Sequence, residues 1–171
     1  MVTTMLDAVP DVKEWLSPWV QTGAEPGIAP DGLEHLRALL NTDNRFAGLD
    51  TLKTTAPSAL RTLRDALRAF IVEGNPAPLD ALAAGHRLSV RVGASGPVLA
   101  ADDETAALLA MVFDEYRAGR LQRLKACANP DCQWVYFDGS RNRSGRWCSM
   151  NECGDVMKAR SYRRRARGED A

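Results

Sequence analysis

All four cysteines of this chain fall within residues 127–153 as two pairs of equal spacing. Cys127 and Cys132, then Cys148 and Cys153, each enclose four residues, and fifteen residues separate the pairs. Two close pairs joined by a short insert can bring four thiolates to the corners of a tetrahedron. A closed structural Zn²⁺ site requires that arrangement, with zinc–sulfur distances of roughly 2.3 Å. The spacing therefore predicts one structural Zn²⁺ held by sulfur alone.

The residues around the ligands fit the same reading. Asn129, Pro130 and Asp131 are turn formers, which place the first pair on a tight knuckle. Trp134-Val135-Tyr136-Phe137 is β-prone, and the turn Asp138-Gly139-Ser140 predicts a hairpin returning towards Trp147. Ser149 and Glu152 form a capping-box pattern for a helix starting near residue 150. Cys153 then sits in a first helical turn, where the positive helix end favours a thiolate. Knuckle, hairpin and ligand-bearing helix predict a treble-clef arrangement.

CANPDCQWVYFD, SRNRSGRWCSM and KARSYRRR closely resemble the CGNR zinc finger of bacterial proteins that carry an N-terminal ABATE domain. That family is described as stress-induced transcription regulators. Upstream, the likeness rests mainly on Leu40-Asn41-Thr42 and the helical segments that follow. The motif naming the family reads Cys153-Gly154-Asp155-Val156 here, without its Asn and Arg, so no contact of that Arg carries over. The resemblance implies a DNA-binding regulator with an N-terminal extension at 1–30, an ABATE-like domain at 31–120 and a zinc finger at 121–171.

Length and charge agree with two unlike parts. The 171 residues, 45% of them hydrophobic, suffice for one ordinary domain and a small metal module. Residues 1–116 hold 9 Lys/Arg against 16 Asp/Glu, a net of −7, whereas residues 117–171 hold 13 against 6, a net of +7. Such asymmetry predicts different partners for the two parts. No apolar run approaches the roughly 18 residues of a membrane span, and no signal-peptide pattern opens the chain. The expected setting is a reducing cytoplasm, where paired cysteines hold metal rather than form disulfides.

The fold class expected is α+β: a mainly helical N-terminal domain with a β-hairpin, then the treble clef. Residues 11–16 suggest a short helix, with Trp15 and Trp19 packing on the main domain. Asp31 and Glu34 read as a capping box ahead of the stripe Leu33, Leu36, Leu39 and Leu40, with His35 on the solvated side. Asn41-Thr42-Asp43-Asn44 reads as a turn rather than a pocket lining. Pro57 and Ser58 open a helix carrying Leu60, Leu63, Leu67, Phe70 and Ile71; its Arg61, Arg64 and Arg68 are expected to be solvated or paired with carboxylates. A short helix over 79–84 precedes a hairpin of Leu88–Val92 with Pro97–Ala100, and His86 at the strand edge reads as structural. Asp102, Asp103 and Glu104 begin a helix whose expected buried face is Leu108, Leu109, Val112, Phe113 and Tyr116. Arg120–Lys125 suggests a strand entering the knuckle.

The last helix carries the functional argument. At 100° per residue, Ala159, Tyr162 and Ala166 form a narrow strip expected to dock on the zinc core, and Arg160, Arg163, Arg164 and Arg167 crowd a neighbouring arc. Lys158 faces elsewhere on the helix, and the preceding loop adds Arg141, Arg143 and Arg146. These eight residues are candidate contacts to nucleic-acid phosphates. DNA is the expected partner, with a protein or small-molecule effector on the acidic domain. A protein-interaction module with a purely structural zinc is the alternative. An enzyme is not expected, because four cysteines close the coordination sphere and both histidines lie far upstream. The thiolates also allow a redox response with zinc release. The close-packing reason expected for Gly154 is approach of the knuckle to the helix.

Overall fold

Leucine stripes at helical spacing assemble the core. The computed structural model describes residues 16–23, 25–53, 58–94 and 96–168. Trp15, Pro57, Ser95 and all but Leu16 of the 11–16 helix lie outside the described residues. Helix α1 (Asp31–Asn41) buries Leu33, Leu36, Leu39 and Leu40 completely, as its stripe predicts. Helix α2 (Ser58–Glu73) buries Leu60, Leu63 and Leu67, with Phe70 and Ile71 packed at the margin. The short strands β1 (Asp43–Asn44) and β2 (Leu49–Asp50) pair antiparallel between those helices. Helix α3 (Ala77–Ala84) leads to strands β3 (Leu88–Gly93) and β4 (Gly96–Ala101), which form the expected antiparallel hairpin.

Helix α4 (Glu104–Arg117) starts where its acids predict, since the Asp103 carboxylate accepts from the Ala106 amide at 2.8 Å. Leu108, Leu109 and Val112 are buried, but Phe113 and Tyr116 are 48% and 52% exposed, which corrects the expected face. Ala106, Ala107, Ala110 and Met111 fill the helix contacts instead. Alanines allow close approach, and α4 turns its broad small-residue side to the leucines.

Buried polar groups secure the first helices. Glu34 is 3% exposed and accepts from the amides of Gln21 and Ala29 at 2.9 Å each and from Arg37 Nε at 2.7 Å. No side chain caps α1, so the expected capping box is replaced by a strap anchor. A carboxylate satisfied by two amides and a guanidinium is stronger than one exposed cap contact. His35 is half-buried rather than solvated. Arg64 and Arg68 are buried rather than solvated, at 4% and 2% exposure, and Arg64 has the carboxylate partner expected of it. Arg64 grips Asp50 with contacts of 2.6 and 3.0 Å, and this hydrogen-bonded guanidinium holds the Asp50 carboxyl below its ordinary pKa. Arg68 donates to the Gln133 carbonyl at 2.9 Å.

The C-terminal part contains β5 (Leu124–Ala126), β6 (Val135–Phe137) and α5 (Asp155–Ala166). A 3₁₀ turn over Leu121–Arg123 precedes β5. Leu121, Leu124 and Val135 join the same apolar cluster as Leu16, Ala29 and the helical leucines. The core thus runs without a break from the first helices into the cysteine-bearing segment. No described helix is long and apolar enough to cross a membrane.

Candidate metal centre

Strands β5 and β6 pair antiparallel with Leu124 opposite Phe137 and Ala126 opposite Val135, so the knuckle between them is held at both ends. Cys127 N donates to the Trp134 carbonyl at 2.8 Å, and Cys132 N donates to the Asn129 carbonyl at 2.9 Å. Gln133 adopts φ 53°, closing the knuckle and sending the chain into β6. Turn residues at 129–131 thereby bring the first two sulfurs to one side.

The second pair comes from the root of the last helix. A π-helical turn over Met150–Gly154 leads directly into α5. Ser149 stands at the cap position, but its side chain makes no capping bond. Gly154 N bonds to the Ser149 carbonyl at 3.0 Å, and the wide turn carries Cys153 back towards Cys148.

Together the four sulfurs lie within 4.8 Å of one another, and among the described residues they form the one cluster of its kind. Cys132 and Cys148 are 3.7 Å apart at sulfur, and Cys148 and Cys153 3.8 Å. A tetrahedron with bonds of roughly 2.3 Å has edges of about 3.8 Å, so this donor set fits a single thiophilic ion. These separations are far beyond the roughly 2.05 Å of a disulfide. Cys127 is buried and the other three are half-buried.

Electrostatics favour a cation at the centre. Burial, reinforced by the neighbouring thiolate of Cys127, pushes Cys132 up to about 11, and burial with the other sulfurs raises Cys148 further. Cys153 moves the other way: burial opposes ionisation, but hydrogen bonds from Asn129 Nδ2, at 3.5 Å, and from neighbouring thiols outweigh it. Four thiolates crowded together repel unless a positive ion neutralises them.

The hairpin expected between Trp134–Phe137 and the approach to Trp147 does not form. Strand β6 pairs with β5 instead, and residues 138–149 make an irregular loop with one backbone bond to the knuckle, Ala128 N to the Arg146 carbonyl at 2.8 Å. Asp138 explains why. Its carboxylate is buried and accepts from Lys125 Nζ at 2.6 Å, Ser140 N at 3.0 Å and Gly145 N at 2.9 Å, wrapping the loop around one charge. Burial alone would raise its pKa, but the Lys125 ammonium and these amides hold it well below the carboxylate range. Lys125 also donates to the carbonyls of Arg143 and Gly145. Sequence inspection missed Asp138; a buried partner thirteen residues upstream has no local signature.

The aromatics form the segment's packing. Tyr136 is 4% exposed, Phe137 is half-buried, and Trp134 meets Trp19 with ring centroids 6.3 Å apart. Among the described residues, the buried Tyr136 hydroxyl has no hydrogen-bond partner. Burial, with Asp138, Cys127 and Cys148 nearby, pushes its pKa up, so it stays a neutral donor in electronegative surroundings. Gly154 is buried, and a Cβ there would lie 3.3 Å from both Trp147 Cδ1 and Met150 Sδ. Its close neighbours are thus Trp147 and Met150, not the knuckle.

The eight basic candidates are all exposed. Arg146 stacks over Trp147 at 5.1 Å, Lys158 pairs with Asp155 at 3.3 Å, and Arg160 meets Asp131 of the knuckle at 2.6 Å. Arg141 and Arg143 occupy the Asp138-bound loop, and Arg163, Arg164 and Arg167 lie along α5. The docking strip is overturned: α5 buries no residue, and Tyr162 is 70% exposed. Two alanines and one tyrosine supply too little apolar area to seat a helix carrying this much charge. No curated protein matches the chain. Residues 123–166, which carry all four cysteines, match the family model of the CGNR zinc finger.

Proposed function

We propose that this protein is a DNA-binding transcription regulator in which one structural Zn²⁺, held by Cys127, Cys132, Cys148 and Cys153, presents a basic helix to nucleic acid. The sulfur-only donor set and the zinc-finger match support zinc over harder cations. The knuckle followed by ligands at a helix root supports the treble-clef reading. The ABATE-like N-terminal domain, acidic by sequence, would sense a signal or mediate association.

The observation that carries the proposal is α5. Twelve residues long, it buries no side chain yet exposes Arg160, Arg163, Arg164 and Arg165 around its axis. A helix that buries no residue gains little from the core, and arginines crowded along it suit the phosphates of a polyanion. About five phosphate contacts predict a log–log salt slope of roughly −4.5 for duplex DNA. Zinc-loaded protein that fails to bind DNA at low salt contradicts the proposal.

Exposed Val156 and Tyr162 on the same helix support a second reading, a protein-interaction module with a purely structural metal. Specific protein capture lost in Tyr162→Ala, with no salt-dependent DNA binding, would favour it. Neither reading assigns a reaction to the protein.

A further inference from the structure

Among the described residues, strand β3 is paired on one side only, and all six of its residues are exposed. Its register places Leu88, Val90 and Val92 opposite Ala101, Leu99 and Pro97, so these residues share one apolar sheet face. Exposure along that face rises from 38% at Leu88 to 67% at Val90 and 80% at Val92. A two-stranded ribbon is marginal alone, and a flat edge without proline or bulge is a template for another strand. Arg91 is the one charge within β3.

We infer that the free edge of β3 pairs antiparallel with β3 of a second copy of this chain, about a two-fold axis through Val90. The charge pattern selects both occupant and register. With Val90 opposite Val90, Leu88 meets Val92 of the second copy and Ser89 meets Arg91, keeping apolar residues on one face. Shifting by one residue sets Val90 against Arg91 and mixes the faces. Shifting by two sets Arg91 against Arg91 in one direction and Arg87 against Arg91 in the other, opposing like charges. Of these registers the Val90-centred one alone avoids both penalties, and larger shifts pair fewer residues, so the edge is complementary to itself. The resulting four-stranded sheet also covers the most exposed position, Val92, with Leu88 of the second copy. This association uses neither the cysteines nor the arginines of α5, so its failure and failure of the DNA reading are separable.

The test is sedimentation of the full-length, metal-loaded protein across a hundredfold range of concentration. Wild type is expected to dimerise. Val90→Lys and Val90→Glu, each placing like charges on the axis, are each expected to be monomeric with unchanged circular dichroism and metal content. An equimolar mixture of the two is expected to restore the dimer. A monomeric wild type, or a Val90→Lys protein that still dimerises, overturns the inference. So does a mixture that stays monomeric while both variants remain folded.

Discussion

The side-chain amide of Asn41 reads both backbone groups of Val135: Asn41 Nδ2 donates to the Val135 carbonyl, and Val135 N donates to Asn41 Oδ1, each at 2.8 Å. Asn41 ends the first helix and Val135 opens the strand after the knuckle, ninety-four positions later. One buried amide thus completes the edge of β6 as a neighbouring strand would. With Arg68 on the Gln133 carbonyl, it fixes the knuckle to the helical core.

Asn41→Ala removes both bonds and leaves the Val135 amide and carbonyl buried without partners. The expected loss is about 2–4 kcal/mol in urea unfolding. A chelator-competition assay should show faster metal release, because the knuckle loses its outer support. A stability change below about 0.5 kcal/mol would mean the clamp is incidental.

Asp138 organises the arginine loop, and Gly145 is the residue that lets it. A Cβ at position 145 would lie 2.8 Å from Asp138 Oδ1, a distance no carbon and oxygen tolerate without displacement. Gly145→Ala should destabilise the protein by about 1–3 kcal/mol and loosen the loop, seen as faster amide exchange at residues 140–145. Wild-type protection in that variant would contradict the arrangement.

The same carboxylate gives a pH signature. Its folded pKa is depressed below the unfolded value of about 3.9, so its stabilisation is fully present above that value and lost as pH falls through the folded pKa. Asp138→Asn should cost about 2 kcal/mol at pH 7, and its deficit relative to wild type should shrink below about pH 4. Parallel stability curves for the two proteins across that range would refute this role.

Gly154→Leu must displace Trp147 or Met150 at the root of the last helix, next to Cys153. Weaker metal retention is expected, by tenfold or more, with the helical core intact. Unchanged zinc affinity would show that the wide turn absorbs the side chain.

Arg163→Ala tests the basic helix without touching a residue that pairs with Asp131 or Asp155. Removing one phosphate contact should flatten the log–log salt slope by about 0.9 and weaken binding to different sequences alike. An unchanged slope would take Arg163 off the DNA surface.

Legibility in the sequence followed the range of the interactions. The cysteine spacing, the β3–β4 hairpin and the leucine stripes are local patterns, and the structure contains all three. Asn41, Glu34 and Arg68 looked like turn, cap and surface residues because their partners lie far along the chain or in a loop. Strand β6 is β-prone in either pairing; Asp138, by curling the following loop, leaves β5 as its partner. Phe113 and Tyr116 fit the apolar period of α4, but its alanines take the core-facing side. The strip on α5 satisfied helical periodicity too, with too little area to dock.

Metal content against folding tests the central claim most directly. Purified protein should carry one zinc per chain, and removing it with a strong chelator should unfold residues 123–166 and abolish DNA binding, both restored by Zn²⁺. Metal-free protein that keeps the same fold, with its four sulfurs unliganded or joined as disulfides, would contradict the account.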